Sequence, residues 1–357
     1  MDVTVSDSFD LSDLAVRWTE LETRADGGFF LSWHWIGSWL RATGVKPLLV
    51  KVQENGKVIG LGLLVRASRR RFGLPVRQLC LHEAGRQEWD AAMIEHNNFL
   101  IDRQASPGLA AEMLGALQAA DPSWDEIVLG GVSAEVAAAA AAADLTVVTD
   151  RVSPDFGVVL AGQDRWQDSL SSNQRAQVRQ SRSFAERMGP LALKAADDPS
   201  QAMAFFEKLV ELHTAYWHGR GKPGAFATAS SMAFHREVIS AHAGPGQVEL
   251  LELSAGIEVL GYLYNFTYGD RTCSYQSGFA YGEDNRHRPG LLAHVLAIER
   301  AQARGVRIYD FLAGEAPYKA RLGRQLGQVV WCRAQRSRPL LRCERAARAL
   351  YRGFRRR

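Results

Sequence analysis

Apolar and polar positions along this chain switch between a period of two and a period near 3.6, and the switch points mark its elements. Residues 3–9 alternate as a short strand, and Leu11 to Glu22 follows a helical period with Asp10 or Ser12 placed to cap it. Ser32 precedes a second helical run carrying Trp33, Trp35, Ile36, Trp39 and Leu40. Two β-rich runs, Pro47 to Gln53 and Lys57 to Arg66, flank Glu54-Asn55-Gly56, and Asn-Gly in that setting predicts a hairpin. A third strand, Arg77 to His82, follows a basic turn at Arg69 to Arg71. Beyond a polar segment come a helix (Pro107 to Ala119), a strand (Glu126 to Gly130) and an alanine-rich helix (Ala134 to Ala143). A pair of strands around Leu145 to Thr149 and Phe156 to Leu160 closes this half.

From Trp166 the same order returns. A basic helical segment (Trp166 to Met188) leads to a strand (Leu191 to Ala195) and helices at Pro199 to Trp217 and Ser230 to Ala241. Strands follow at Val248 to Leu253, Glu258 to Tyr268 and Cys273 to Ala280. A loop ending in Pro289-Gly290 then opens a helix from Leu291 to Arg304. The strand Arg307 to Leu312, a turn into Tyr318-Lys319 and a last strand at Val329 to Ala334 complete the half. GKVIGLGLLV (Gly56 to Val65) echoes GIEVLGYLYNF (Gly256 to Phe266), with Gly60 matching Gly261, which points to a structural duplication. The expected fold is α/β (α+β) with two tandem domains, 1–163 and 164–336, each a mixed, mainly antiparallel sheet flanked by helices over its own core, joined near Gly162 to Asp164.

Composition changes this picture at one place. The chain of 357 residues is 46% apolar and 23% charged, as a globular protein is, and no apolar run reaches the roughly 18 residues of a membrane span. MDVTVSDSFD lacks a basic stretch followed by an apolar one, so a cytoplasmic location is expected. The net charge of +4 is uneven: residues 333–357 hold ten arginines against one acid, Glu344, a net +9 that leaves −5 on the other 332 residues. In the tail, 337–357, Leu340, Cys343, Ala347, Leu350 and Phe354 share one side of a helix, which suits an anionic membrane surface, RNA or the protein's own body. Cys80, Cys273, Cys332 and Cys343 show no CxxC spacing and read as reduced thiols, three of them in strand-like core contexts.

Three segments carry candidate chemistry. Arg286-His287-Arg288-Pro289-Gly290-Leu291-Leu292 is a glycine-opened loop feeding a helix N-terminus, the simplest receptor for a pyrophosphate such as that of a thioester acyl donor. Pro-Gly opening an ordinary core helix fits the same residues. Glu315, Tyr318 and Lys319 lie just past a buried strand, where a phenol can protonate a departing thiolate, a carboxylate can accept an amine proton and an ammonium can hold an anion. Ring packing, turn capping and solvation describe them equally well. Behind Asn173, the guanidinium groups of Arg175, Arg179 and Arg182 are spaced four and three apart and line one helical face, suited to an anionic acceptor, to RNA backbone or to solvent. His213, Trp217 and Arg220 are placed to wall an acceptor pocket or to pack, and Tyr275 and Gln276 sit on the strand before the Pro-Gly loop. No HExxH or Walker loop is present, and Gly60-Leu-Gly62-Leu-Leu-Val65 fails the dinucleotide fingerprint because Val65 replaces its third glycine. No metal is expected.

LSSNQRAQVRQSR, LHTAYWHGRGKPGAF, RHRPGLL and YDFLAGEAPYKARLG, in that order, resemble the GNAT superfamily, and closely its CelD-like acetyltransferase group first associated with cellulose biosynthesis. The resemblance covers Trp166 to Arg324 well and the first half weakly. It departs from the ordinary (Arg/Gln)-x-x-Gly-x-(Gly/Ala) loop, with His287 in the first position and Leu292 in the last. It implies two tandem GNAT-like domains, the second holding acetyl-CoA or another acyl-CoA at Arg286, Arg288, Gly290, Leu291 and Leu292, with Tyr318 as acid, Glu315 as base and Lys319 beside them. The implied reaction is N-acyl transfer to an amine of a sugar, a polysaccharide precursor or a small metabolite. The first half is then a degenerate copy serving the acceptor side or the fold. The chain also looks like the Fem-type aminoacyl transferases, which take their group from tRNA. A third possibility is a non-catalytic accessory protein of exopolysaccharide synthesis, held at the inner membrane face by its basic tail.

Overall fold

A computed structural model describes residues 1–90, 94–244 and 247–355, with side chains described as far as Arg348. The N-terminal alternation forms β1 (Asp2–Ser6) and the helical run after it α1 (Leu11–Glu22), whose cap is Asp10, its carboxylate accepting the Asp13 N–H at 2.8 Å. Helix α2 (Trp33–Thr43) starts where expected, but the Ser32 hydroxyl turns back to donate to the Phe29 carbonyl, and the Glu22 carboxylate accepts the Trp33 N–H instead. The hairpin signal at Asn55-Gly56 joins β2 (Leu48–Glu54) to β3 (Lys57–Arg71), and β4 (Leu74–Leu81) follows. The basic turn is corrected: Arg69 to Arg71 continue β3, with Arg71 held by Glu126 and Glu344, and the chain turns at Phe72-Gly73.

The first half continues through α3 (Gln87–Asp90), β5 (Leu100–Ile101), α4 (Leu109–Ala120), β6 (Glu126–Val132), α5 (Ala134–Ala142) and β7 (Thr146–Val159). A pair of closing strands was expected; β7 is one strand because it is laddered to a neighbour along its whole length. The second half runs through α6 (Ser172–Glu186), β8 (Leu191–Ala195), α7 (Pro199–His218), α8 (Ala229–His242), β9 (Val248–Ala255), β10 (Glu258–Tyr268) and β11 (Arg271–Phe279). It ends with α9 (Pro289–Ala303), β12 (Ile308–Ala313), α10 (Pro317–Leu322), β13 (Arg324–Gln335) and the tail helix α11 (Pro339–Arg355).

Among the described residues these strands form one 13-stranded sheet in the order β1-β2-β3-β4-β6-β13-β7-β12-β11-β10-β9-β8, with β5 paired to β3. Each half repeats the same senses: three antiparallel pairings, then one parallel pairing, β4 to β6 in the first half and β11 to β12 in the second. The last strands are exchanged. β13 pairs with β6, and β7 with β12, so two mainly antiparallel units become one sheet.

The cores are shared as well. Phe29 stacks on Phe266 with ring centroids 4.2 Å apart, and Trp35 meets Phe234, Phe266 and Tyr275, so one aromatic cluster draws on both halves. Helix α11 docks through Leu341 and Glu344, while Cys343 and Ala347, expected on its apolar side, are exposed. The side chains of Leu350 and Phe354 lie outside the described residues. Cys80, Cys273 and Cys332 are buried free thiols. No helix among the described residues is long and apolar enough to cross a membrane.

Candidate active site

Strands β11 and β12 are joined only at Arg271 with Ile308, Thr272 with Tyr309 and Cys273 with Asp310. Beyond these pairs both strands leave the ladder. β11 is bulged, since Tyr264 opposes Gln276 and Asn265 opposes Ser274, which leaves Tyr275 as the extra residue. β12 bends at Leu312, its last residue but one, where φ is 62, a left-handed conformation unfavourable for a bulky side chain. The parted strands open a cleft of about 820 Å³, walled by Ser274 to Phe279 on one side and Phe311 to Lys319 on the other. Past Cys273, the edge of β11 that faces away from β10 has no strand partner among the described residues.

Two charged side chains hold the Leu312 bend. Lys319, 8% exposed, donates from Nζ to the carbonyls of Leu312 at 3.1 Å and Ala313 at 2.6 Å. Glu95, from the first half, accepts the Ala313 N–H at 2.7 Å and lines the cleft. Burial lowers the Lys319 pKa from the ordinary ammonium value and raises that of Glu95, each opposed by the other's charge. An ammonium has three donors, so one N–H of Lys319 remains for a ligand. Lys319 thus lines the cleft, and its first task is to hold backbone.

Tyr318, itself exposed on one side, stacks on the buried His294 with centroids 4.9 Å apart at 9°, and desolvation by the groups around it raises its phenol pKa. Burial also takes His294 down to about 3, so Tyr318 rests on a neutral ring. Glu315 is exposed at the cleft rim. At the mouth, Arg288, Gly290 and Leu291 line the cleft. A Cβ at Gly290 would lie 3.1 Å from the Phe279 ring, so this helix start depends on glycine for its close approach. Arg286 is folded back on Asp284 at 2.6 Å, and Arg288 donates to the Asn285 carbonyl at 2.7 Å. Leu292 is in the core and its N–H is taken by the Arg288 carbonyl, so it does not face the cleft.

Of the residues expected to meet the acceptor, His213, Trp217, Tyr275 and Gln276 line the cleft. His213 is fully used: Nδ1 donates to the Ser277 carbonyl at 3.0 Å and Nε2 accepts the Ala225 N–H at 3.1 Å. Arg220 lies over the Tyr216 ring, outside the cleft lining. Asn173, Arg175 and Arg179 do not reach it either, because α6 packs against α9 and Arg175 donates to the Leu170 carbonyl while Arg182 pairs with Glu299. The sequence reading missed Glu95. Its signal was Glu95-His96-Asn97-Asn98, four polar residues wedged between Ile94 and Phe99.

Below the vertex of the cleft, Asp310 is fully buried, with Arg271 Nη1 at 2.5 Å from one oxygen and the Leu312 N–H at 2.7 Å from the other. His96 Nε2 stands 3.5 Å from Asp310 and 3.7 Å from Asp155. Among the described residues this trio has the spacing of metal ligands, yet both Asp310 oxygens are already engaged and a guanidinium occupies the place of a cation. Burial and the neighbouring Asp310 push Asp155 up to about 7.

Residues 172–320 match the family described as Acetyltransferase (GNAT) domain. The fold is similar to the crystal structure of FemX, at 12% identity and a TM-score of 0.62, over 96% of this chain and 99% of that one. It is also similar to the C-terminal domain of a putative lysylphosphatidylglycerol synthetase from Agrobacterium fabrum, at 12% identity and 0.56, over 97% and 95%. L-PGS from Bacillus licheniformis matches at 13% identity and 0.55, over 93% of each chain. No curated protein matches the chain in sequence.

Proposed function

We propose that this chain is an N-acyltransferase, which takes an acyl group from a carrier lying between β11 and β12 and passes it to an amine. The observation that carries this reading is the unpaired edge of β11 opening onto the same cleft as Glu95 and Lys319. A free strand edge suits an extended, amide-bearing arm such as that of acetyl-CoA or another acyl-CoA, and the start of α9, with Gly290, Leu291 and Arg288, suits its phosphates. With the acyl carbonyl at the Leu312 bend, the remaining Lys319 N–H stabilises the developing oxyanion. Glu95 accepts the proton of the acceptor ammonium, and Tyr318 returns one to the leaving thiolate. Glu315, more exposed than Glu95, contacts the acceptor at the rim.

The CelD-like motifs support acetyl as the group moved, and an amine of a sugar, polysaccharide precursor or metabolite as its acceptor in the cytoplasm. The likeness to FemX supports a second reading, an aminoacyl donor carried on tRNA; against it, Arg175 and Arg182 of the arginine row are already engaged. Calorimetry with acetyl-CoA, beside filter binding of charged tRNA, decides between them. Acetyl-CoA is expected to bind with a weak salt dependence. A steep salt slope with tRNA and no CoA binding would replace the donor, and turnover with neither would return the accessory-protein reading.

A further inference from the structure

A second cavity, of about 270 Å³, opens between the two halves and shares no lining residue with the cleft. His96 and Asp155 come to it from the first half and Arg271 from the second, while Phe30, Val132 and Leu326 give it apolar wall. Asp155 is 4% exposed, and its Oδ1 is buried with no hydrogen-bond partner among the described residues. Oδ2 fares little better. His96 Nε2 stands 3.7 Å from it, too far for a hydrogen bond, and is itself buried without a partner. Asp310 can offer Asp155 nothing but a shared proton, because its own oxygens already accept from Arg271 and from the Leu312 N–H. Arg271, with its side chain 34% exposed, spends Nη1 on Asp310 and keeps its other N–H donors for the cavity.

A buried carboxylate oxygen without a donor is costly unless something brings one to it. A water takes up about 30 Å³, so one water at Asp155 leaves most of the cavity, its apolar wall and the guanidinium unmatched. The ligand atoms of Asp155 and Asp310 lie within 4.8 Å of each other, and Arg271 is bonded to Asp310. The orphan acceptor and the free guanidinium donors are therefore close enough for one small molecule to meet both. An anionic group fits the planar fork of Arg271, a cationic nitrogen fits Asp155, and a short hydrocarbon fits the remaining wall. We propose that this cavity is a binding site for a small apolar α-amino acid, its carboxylate on Arg271, its ammonium on Asp155 and its side chain towards Phe30, Val132 and Leu326. The site is separate from the cleft and does not depend on the acyl-transfer reading.

The test needs no acyl donor. Calorimetric titration of the intact chain at neutral pH compares L-leucine with 4-methylpentanoate, which lacks the ammonium, and with 3-methylbutylamine, which lacks the carboxylate. Leucine is expected to bind at least about tenfold more tightly than either. This comparison is made on the wild-type chain and stands whether or not a variant folds. Asp155→Asn removes the charge that holds the ammonium, and is expected to bring leucine within about twofold of 4-methylpentanoate. Arg271→Lys keeps a cation for Asp310 but loses the fork, and is expected to weaken leucine and 4-methylpentanoate while leaving 3-methylbutylamine as it was. Thermal unfolding of each variant checks that the fold is kept. Equal binding of the three compounds, binding of none, or a ranking unchanged by both folded variants would overturn the proposal.

Discussion

Strands β4 and β6 in the first half, and β11 and β12 in the second, are each joined at three residue pairs before they part. In the second half the gap is the 820 Å³ cleft. In the first, Asn97 fills it: fully buried, it donates from Nδ2 to the Leu81 carbonyl of β4 at 2.8 Å and to the Gly130 carbonyl of β6 at 3.0 Å, while its backbone N–H donates to Gly131. Its Oδ1 accepts the His82 Nδ1–H at 2.8 Å, and His82 Nε2 accepts the Leu63 N–H at 3.2 Å. Every side-chain polar atom of Asn97 and His82 has a partner, as a buried network requires. One duplicated wedge thus became a ligand cleft and the other a sealed joint. The segment that seals one wedge sends Glu95, two residues away, into the other.

The largest test of that division is Glu95→Gln. Glutamine keeps the acceptor for the Ala313 N–H but cannot take a proton. Turnover should fall by about 10²–10⁴, with donor binding unchanged by calorimetry and the unfolding midpoint held or raised. Wild-type turnover would show that the first half contributes only fold, and would return the base to Glu315.

Next in size is Asn97→Leu, which keeps the volume of the plug and removes its hydrogen bonds. The Leu81 and Gly130 carbonyls and the His82 N–H would be left buried and unpaired, at a cost of about 3–5 kcal/mol in urea unfolding. Activity should fall with it through loss of Glu95 placement. A loss under about 1 kcal/mol would mean that the first wedge relaxes or takes up water, and the contrast between sealed and open gaps would fail.

Much of this was legible in the sequence. The element order, the duplication signalled by Gly60 and Gly261, and the Pro-Gly start of α9 follow from local periodicity and turn chemistry, which are short-range properties. The cleft lining from Tyr275 to Lys319 was likewise found through consecutive residues. What escaped depends on pairing across the chain. The exchange of β7 and β13 links strands about 180 residues apart, as with Trp331 and Arg151, and no local pattern records it. Glu95 acts 218 residues from Ala313, so its role appears only when the plug and the β12 bend are seen together. The arginine row was read correctly as one helical face, but its capture by Leu170 and Glu299 is tertiary.

The smallest effect concerns Glu83, which lies at the mouth of the sealed wedge against Gly130. The unfolded chain releases this proton near the ordinary 4.5, whereas the folded protein keeps it to about 8, with Asp90 of α3 raising that value and Arg69 of β3 lowering it. Between those limits folding takes up a proton. Stability therefore falls as pH rises, by up to about 1.4 kcal/mol per pH unit, and the contribution is constant below 4.5 and above 8. Asp90 adds a slope of the same sign up to about 6, so the useful quantity is the difference between Glu83→Gln and wild type, measured by urea unfolding at intervals from pH 5 to 8. The variant should gain on wild type across that window and end about 1–3 kcal/mol more stable, because its amide is neutral throughout yet still seeks a partner of its own. Parallel curves would mean that the Glu83 carboxylate is already satisfied in the folded chain. In that case Glu83 behaves as a solvated carboxylate, and the division of labour between the two wedges stops at Glu95.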